Sequence, residues 1–157
     1  MSPSYPPAPY SPLPGTPRAI ICDIDGTVAL RGNRSPYDWT RVADDTPNRP
    51  VIEVVQALHA SGHQVIFMSG RSAICELATG MWIETHVAAN WSFDNGFLLL
   101  MRRQGDNRQD AVIKAELFDQ HVRTRFNVRA VFDDRLQVIR MWREMGLTVL
   151  DVAGGDF

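Results

Sequence analysis

The stretch "ICDIDGTVALRGNRSPYD", Ile21–Asp38, places the carboxylates of Asp23 and Asp25 two residues apart at the end of an apolar run. One interpretation is a β-hairpin, because Asp-Gly favours a tight turn and "AIICDI" and "TVAL" could be its two strands. The other is a single strand that ends in two catalytic acids. A second strand starting at Thr27 would have to end within a few residues, in a loop rich in Arg, Gly, Asn and Pro. This argues against the hairpin.

The composition is typical of one globular domain. A chain of 157 residues can bury about 70% of the surface that its unfolded form exposes. No apolar stretch approaches the roughly 20 residues of a membrane span, and the N-terminus lacks the pattern of a signal peptide, so we expect a cytoplasmic protein without membrane contact. The net charge of −2 gives no general attraction to nucleic acid, so a polyanionic substrate would need a local basic patch.

The first 17 residues, "MSPSYPPAPYSPLPGTP", differ from the rest of the chain. They hold most of the prolines and show neither helical nor strand periodicity. We therefore expect residues 1–17 to form an extended, solvated tail, with a proline-rich docking motif as the less favoured alternative. The folded domain is expected to comprise residues 18–157.

Short apolar strands alternate with amphipathic helices through this domain. The alternation predicts an α/β fold with a five-stranded parallel sheet and helices on both faces. Between the first two strands there is room for a short loop and one helix, so we expect no inserted cap domain. The predicted strands are 19–25, 63–70, 96–102, 128–134 and 147–152, and the predicted helices are 49–62, 73–89, 109–126 and 136–146.

Polar groups follow three of the predicted strands. In sheets of this class, ligands bind outside the carboxyl ends of the strands, so these groups should meet at one edge. A predicted helix adds Lys114, which is the only lysine in the chain. The groups expected at this edge are Asp23, Asp25, Thr27, Ser69, Arg71, Lys114, Asp133 and Asp134.

Such a set suits phosphoryl transfer through an aspartyl-phosphate. Crowded carboxylates repel one another unless a hard cation lies among them, and Mg²⁺ prefers oxygen ligands. One carboxylate could attack phosphorus, and a second, two residues along, could donate a proton to the leaving oxygen and later accept one from water. A hydroxyl and an ammonium could hold the phosphoryl oxygens as charge develops.

The motifs "DIDGT", "SGR", the single lysine and "FDD" resemble the four motifs of the haloacid dehalogenase (HAD) superfamily. The longer stretches "RGNRSPYD", "FMSGR", "MRRQGDNRQDAVIKAELF", "VFDDRLQVIRMWREMG" and "VAGGDF" resemble the 3′-phosphatase domain of phage-type polynucleotide kinase-phosphatases. The similarity covers about Arg18 to Phe157. It implies a single Rossmann-like HAD domain that removes 3′-phosphate from DNA or RNA ends with Mg²⁺, in nucleic-acid repair.

The resemblance also implies roles for individual residues. Asp23 would be the nucleophile and Asp25 the general acid and base, while Ser69 and Lys114 would bind the phosphoryl group. The magnesium ligands would be Asp23, the backbone carbonyl of Asp25, and one or both of Asp133 and Asp134.

Three further residues complete the implied set. Arg34 and Arg71 match arginines that contribute to activity and would act in substrate binding, and Thr27 would orient the loop. Each also has a structural interpretation: Thr27 could close the turn, Arg34 could be a solvated loop charge, and Arg71 could form an ion pair. Another group remains open between a phosphate-contacting patch and a solvated loop, namely Arg102, Arg103 and Arg108.

Other functions fit the same residues less well. The enzymatic alternative is an uncapped HAD phosphatase for a small sugar phosphate or nucleotide. A receiver-like signalling domain would place adjacent acids on the first strand, which this chain does not, and an inactive interaction domain would not need the complete catalytic set. The phage-type enzyme also has a kinase domain with a glycine-rich phosphate loop. This chain has no such motif, so we expect no 5′-kinase activity and a separately encoded kinase or ligase as a possible partner.

Overall fold

The computed structural model describes residues 5–153, so the first four residues and residues 154–157, the end of "VAGGDF", lie outside it. None of the helices in this range is long and apolar enough to span a membrane. Three short 3-10 helices, Trp39–Asp44, Ala73–Cys75 and Phe93–Asn95, lie in the connections. The other elements are the strands β1 (Arg18–Cys22), β2 (Ala29–Leu30), β3 (Thr46–Pro47), β4 (Gln64–Ser72), β5 (Phe97–Arg102), β6 (Asn127–Asp133) and β7 (Val149–Asp151), and the helices α1 (Arg49–Ala60), α2 (Glu76–His86), α3 (Asp110–His121) and α4 (Leu136–Glu144).

Five strands form one sheet in the order β5-β4-β1-β6-β7, and every neighbouring pair is parallel. This confirms the predicted sheet. It also excludes the hairpin interpretation, because β1 lies between β4 and β6 and β2 pairs with β3 instead. The central position of β1 explains its sequence: residues 19–22 are all buried, as expected for a strand covered on both faces.

Helices cover both faces of the sheet. Successive side chains of a strand point to opposite faces, so Ile20 and Cys22 pack in one core and Ala19 and Ile21 in the other. The first core is closed by α1 and α2 and the second by α3 and α4. The two-layer covering agrees with the fold class expected from the sequence.

All four helices are shorter than predicted, and the boundaries of two of them differ from the prediction by three residues or more. The predicted helix 73–89 begins as a 3-10 turn and is α-helical over Glu76–His86, and the predicted helix 109–126 is α-helical over Asp110–His121. Beyond the end of α3, Val122 and Phe126 remain buried in the core although they are not helical. Apolar spacing therefore continues past the end of the helix, which is why it misplaced the boundary.

The connection from β1 to β4 was predicted to be a loop and a helix. In the structure it also contains the two-stranded sheet of β2 and β3 and the 3-10 helix Trp39–Asp44. These elements are short, and no separate cap domain is inserted between the two strands. The edge of the sheet that follows β1 is therefore bordered by a loop and a two-stranded ribbon.

The proline-rich segment packs against the domain. No helix or strand occurs in residues 5–17, as expected, but Tyr10 is anchored: its hydroxyl donates to the carbonyl of Phe126 (2.7 Å) and accepts from the N–H of Val128 (3.0 Å). The guanidinium of Arg123 donates to the two backbone carbonyls just before Tyr10. The expectation of a solvated tail is therefore corrected for this part of the segment, because an aromatic ring and backbone acceptors give it partners on the domain.

Candidate active site

The end of β1 brings Asp23 against α3 and β6. The Lys114 ammonium donates to Asp23 Oδ1 (2.7 Å) and to Asp133 Oδ2 (2.9 Å). The N–H of Asp23 donates to the carbonyl of Phe132 (2.9 Å), which continues the pairing of β1 with β6. All three charged groups are buried. The structure thus brings together residues far apart in sequence, because the carboxyl ends of parallel strands share one edge.

The turn from β6 into α4 brings a third carboxylate to the same place. Asp133 Oδ1 accepts hydrogen bonds from the N–H groups of Asp134 (3.0 Å) and Arg135 (3.2 Å), so the Asp133 side chain shapes the turn. Carboxylate oxygens of Asp23, Asp133 and Asp134 then lie within 4.8 Å of one another. This acidic cluster contains three of the four predicted metal ligands.

The charges of the acidic cluster do not balance. Burial raises the pKa of Asp23 well above its usual value; the Lys114 ammonium opposes that rise, and the carboxylates of Asp133 and Asp134 add to it. Burial also raises the pKa of Asp134. For Lys114 burial favours the neutral amine, but the two carboxylates outweigh it and hold the pKa above the usual value. Three buried carboxylates face one ammonium, and their oxygen atoms are ligands of the kind that a hard divalent cation prefers. Such a cation would be held by Asp23, Asp133 and Asp134.

The loop after β1 is built to bring Asp134 close. Gly26 has φ +79°, and a Cβ there would lie 2.7 Å from Asp134 Cγ. Only glycine fits this backbone and this approach. The Thr27 hydroxyl donates to Asp23 Oδ2 (3.3 Å), and its side chain is fully buried. Thr27 therefore orients Asp23 and offers no surface to a substrate, which differs from a substrate-binding role.

Asp25 lies on a different side of the site. Its carboxylate is 39% exposed and takes two hydrogen bonds from the Arg71 guanidinium, at 2.9 and 2.8 Å. It lies outside the acidic cluster, so only its backbone carbonyl remains a predicted metal ligand. Of the predicted carboxylates, the one proposed to move protons is thus the most accessible to a substrate.

Asp45, which sequence reasoning missed, holds the two arginines of this side. Arg34 donates to both of its carboxylate oxygens (2.9 Å each), and Arg71 donates to one of them (2.6 Å). The side chains of all three are at most 2% exposed. Arg34 and Arg71 therefore reach the site through Asp25 and do not line its surface, so they position that carboxylate. The adjacent Asp44 is exposed, and nothing in "RVADDTP" distinguishes the two aspartates.

The last part of β4 carries Ser69 and closely approaches Asp110, a second residue that sequence reasoning missed. Ser69 is buried, and its hydroxyl accepts from the N–H of Arg71 (3.1 Å). At Gly70 a Cβ would lie 2.7 Å from Asp110 Oδ1, so glycine is needed for this close approach. Asp110 forms ion pairs with Arg102 and Arg135. As the first residue of α3, one turn before Lys114, it could have been suspected from helical spacing alone.

The three arginines around "QGDN" have different environments. Arg102 also donates to the carbonyl of Gly70 (2.8 Å), which ties β5 to the end of β4. Arg108 forms ion pairs with Asp106 and Glu116. Arg103 is exposed, and its side chain makes no hydrogen bond or ion pair to any residue in the described range. The open choice is thus resolved only in part: two of the three have structural contacts.

These groups, placed at the carboxyl edge of a parallel sheet, define the class: the protein is a HAD-type phosphatase, a hydrolase of phosphoric monoesters. Within that class, a family model described as the polynucleotide kinase PNKP phosphatase domain matches residues 17–157. The chain belongs to this family.

Individual relatives agree with the family assignment. A protein of Autographa californica nuclear polyhedrosis virus, with the provisional name bifunctional polynucleotide kinase/RNA ligase, is 46% identical over 141 residues, 87% of this chain. A chain in the structure of the Pnkp1/Rnl/Hen1 RNA repair complex is 34% identical, with a TM-score of 0.84 over 96% of this chain. The class C acid phosphatase of Bacillus anthracis, 16% identical over 91% of this chain and 69% of its own, shares the fold with a TM-score of 0.59.

The chain corresponds to only part of the viral protein and of the chain in the repair complex. It spans 19% of the viral protein and 47% of the matched chain in the repair complex. The similarity therefore concerns one domain of those longer proteins.

Proposed function

We propose that this protein removes 3′-phosphate from polynucleotide ends through an aspartyl-phosphate on Asp23, with Mg²⁺ held by the acidic cluster. The observation that supports this most is the placement of Asp23 between the Lys114 ammonium at 2.7 Å and the carboxylates of Asp133 and Asp134. The excess of negative charge around Asp23 favours a bound cation. A cation held there can bind a phosphate dianion within reach of the Asp23 carboxylate.

In the first step, a carboxylate oxygen of Asp23 attacks phosphorus. The bond from phosphorus to the substrate's 3′ oxygen breaks, and the leaving oxygen takes a proton from Asp25. Lys114 and the Ser69 hydroxyl hold the non-bridging phosphoryl oxygens as charge develops on them. The bound Mg²⁺ would neutralise negative charge on the carboxylates and phosphate.

In the second step, water attacks the phosphorus of the aspartyl-phosphate. Asp25, now unprotonated, accepts a proton from that water, and the bond to Asp23 breaks to release inorganic phosphate. Arg71 and Arg34 hold the Asp25 carboxylate on the accessible side throughout, while Thr27 keeps Asp23 oriented. Each residue ends the cycle in its starting protonation state.

Two observations favour a polynucleotide end as the substrate. The matched family is named for the phosphatase domain of polynucleotide kinase, and the relatives are named for RNA ligation and RNA repair. The connection from β1 to β4 holds no separate cap domain that would enclose a small metabolite. Because the relatives are named for kinase, ligase and RNA repair, we propose a polynucleotide kinase or ligase, on the same or another chain, as the functional partner.

The decisive measurement is phosphate release from a 3′-phosphorylated oligonucleotide, as DNA and as RNA, with Mg²⁺ and with chelator. The same oligonucleotide carrying a 5′-phosphate, a nucleoside 3′-monophosphate and an aryl phosphate serve as comparisons. We expect metal-dependent release that is at least about tenfold more efficient for the 3′-phosphorylated oligonucleotide. Equal or better turnover of the mononucleotide would instead favour the small-substrate alternative, and release in chelator would remove the metal from the proposal.

A further inference from the structure

The loop that follows β2 ends in a tight turn with an aromatic residue at its tip. In Ser35–Asp38 the N–H of Asp38 donates to the carbonyl of Ser35 (3.0 Å), and Pro36 occupies the second position, where its fixed φ favours a turn. The third position is Tyr37, whose exposed fraction is 81%. A side chain so exposed contributes nothing to the core.

This turn is attached directly to the active site. The Arg34 guanidinium, which pairs with Asp45 and reaches Asp25 (3.4 Å), also donates to the carbonyls of Ser35 (3.1 Å) and Asp38 (3.2 Å). The Asp38 carboxylate in turn accepts from Thr40 N at the start of the next 3-10 helix. The turn that carries Tyr37 is therefore linked through Arg34 to the carboxylate proposed to protonate the leaving oxygen.

A second aromatic ring supports Tyr37. The ring of Trp39 meets it edge to face, with centroids 6.5 Å apart and planes at 89°. Trp39 is itself packed against the small core cluster of Val42, Cys75 and Met101. The two rings thus form a stacking surface, Tyr37 and Trp39, with a rigid base and an exposed aromatic face.

The same loop also presents a cation. Arg31 is exposed, and no residue between 5 and 153 forms a hydrogen bond or ion pair with its side chain. An aromatic surface and an unpaired arginine on one loop are the combination with which proteins hold single-stranded nucleic acid: bases stack on rings and phosphates meet the cation.

We propose that the stacking surface of Tyr37 and Trp39 binds the terminal base of a single-stranded 3′ end and so directs its phosphate to Asp23. The inference rests on the proposed function and deepens it, because it assigns base contact to a site otherwise built for phosphate. Arg31, which is exposed on the same loop, would meet the strand's backbone. Recognition by stacking predicts tolerance of base identity and a requirement for a base.

The test compares Tyr37→Ala, Tyr37→Phe and the control Phe93→Ala. Phe93 is also an exposed aromatic residue, but it precedes β5 and so lies near the amino ends of the strands, whereas the site lies at their carboxyl ends. Each variant is assayed on a 3′-phosphorylated oligonucleotide, on the same oligonucleotide lacking its terminal base, and on an aryl phosphate. Loss of one base stack should raise KM for the complete oligonucleotide about tenfold in Tyr37→Ala, while Tyr37→Phe and Phe93→Ala stay at the wild-type value.

Two further results are expected. Wild type should use the abasic substrate about tenfold less well, and Tyr37→Ala should no longer distinguish the two oligonucleotides. Turnover of the aryl phosphate should be unchanged. An unchanged KM in Tyr37→Ala, or an equal loss on all three substrates, would overturn the inference. Failure of the wild-type protein to use any oligonucleotide, with turnover of the aryl phosphate intact, would instead overturn the proposed function itself.

Discussion

The two sides of the active site are built from similar residues but differ in charge balance. On one side, the carboxylates of Asp23, Asp133 and Asp134 face a single ammonium. On the other, two carboxylates, Asp25 and Asp45, face the guanidinium groups of Arg34 and Arg71. The first side has an excess of buried negative charge, and the second is neutral.

This difference separates the binding of cation and phosphate from the support of the carboxylate proposed to move protons. An unbalanced buried cluster is costly unless a cation joins it, so it is suited to bind a metal and, through it, a phosphate. A balanced network with its hydrogen bonds satisfied needs nothing further and holds its members in place. We therefore expect substitutions in the acidic cluster to remove activity with little loss of stability, and substitution of Asp45, the buried carboxylate of the second side, to lower stability most.

The largest effect is expected for Asp23→Asn. Removal of the proposed nucleophile should lower the rate of phosphate release by at least about 10⁴-fold. The substitution also removes one of three mutually repelling buried charges, so the midpoint of thermal unfolding in chelator should not fall. Steady-state assays and thermal unfolding measure the two quantities, with Asp94→Asn, an exposed aspartate, as the control. A large loss of stability would show that the acidic cluster supports the fold.

The next effect is expected for Asp45→Asn. Two buried guanidinium groups would lose their shared carboxylate, and breaking a buried ion pair in this way costs about 3–5 kcal/mol. Urea unfolding of this variant should show that loss. The matched control is Asp44→Asn, because among residues 5–153 the neighbouring Asp44 forms an ion pair only with the exposed Arg41, and the change should stay within about 0.5 kcal/mol. Equal stability of the two variants would contradict the supporting role of Asp45.

The smallest effect concerns pH and metal. Because the pKa values of Asp23 and Asp134 are raised in the folded protein, their contribution to stability is full below the unfolded carboxyl pKa, about 4, and is lost as pH rises through the folded values. In chelator, wild type should therefore lose stability relative to Asp23→Asn as pH is raised from 5 to about 8. Mg²⁺ competes with these protons, so it should raise the unfolding temperature of wild type more at the higher pH. If Mg²⁺ raised the unfolding temperature equally at pH 5 and at about pH 8, that would argue against its binding in the acidic cluster.

The sequence predicted the sheet, both helical layers and the groups at the strand ends. Those predictions succeeded because apolar runs and strand ends are local patterns, and parallel strands place their carboxyl ends together whatever the details. The short elements between β1 and β4 were missed, since two-residue strands and 3-10 turns leave no periodicity to read. The ends of α2 and α3 were misplaced, because buried apolar residues continue beyond them.

By itself, then, the sequence determined the fold class and predicted the chemistry: Asp23, Asp25 and Lys114 could be named as candidates from motif and spacing. Only the tertiary structure decided how these groups are held. Asp45 and not Asp44 joins the arginines, and Tyr10 is anchored more than a hundred residues away, on Phe126 and Val128. The physical reason is that a buried polar group must find its partner in space, and neighbours in the sequence do not reveal which partner folding will bring.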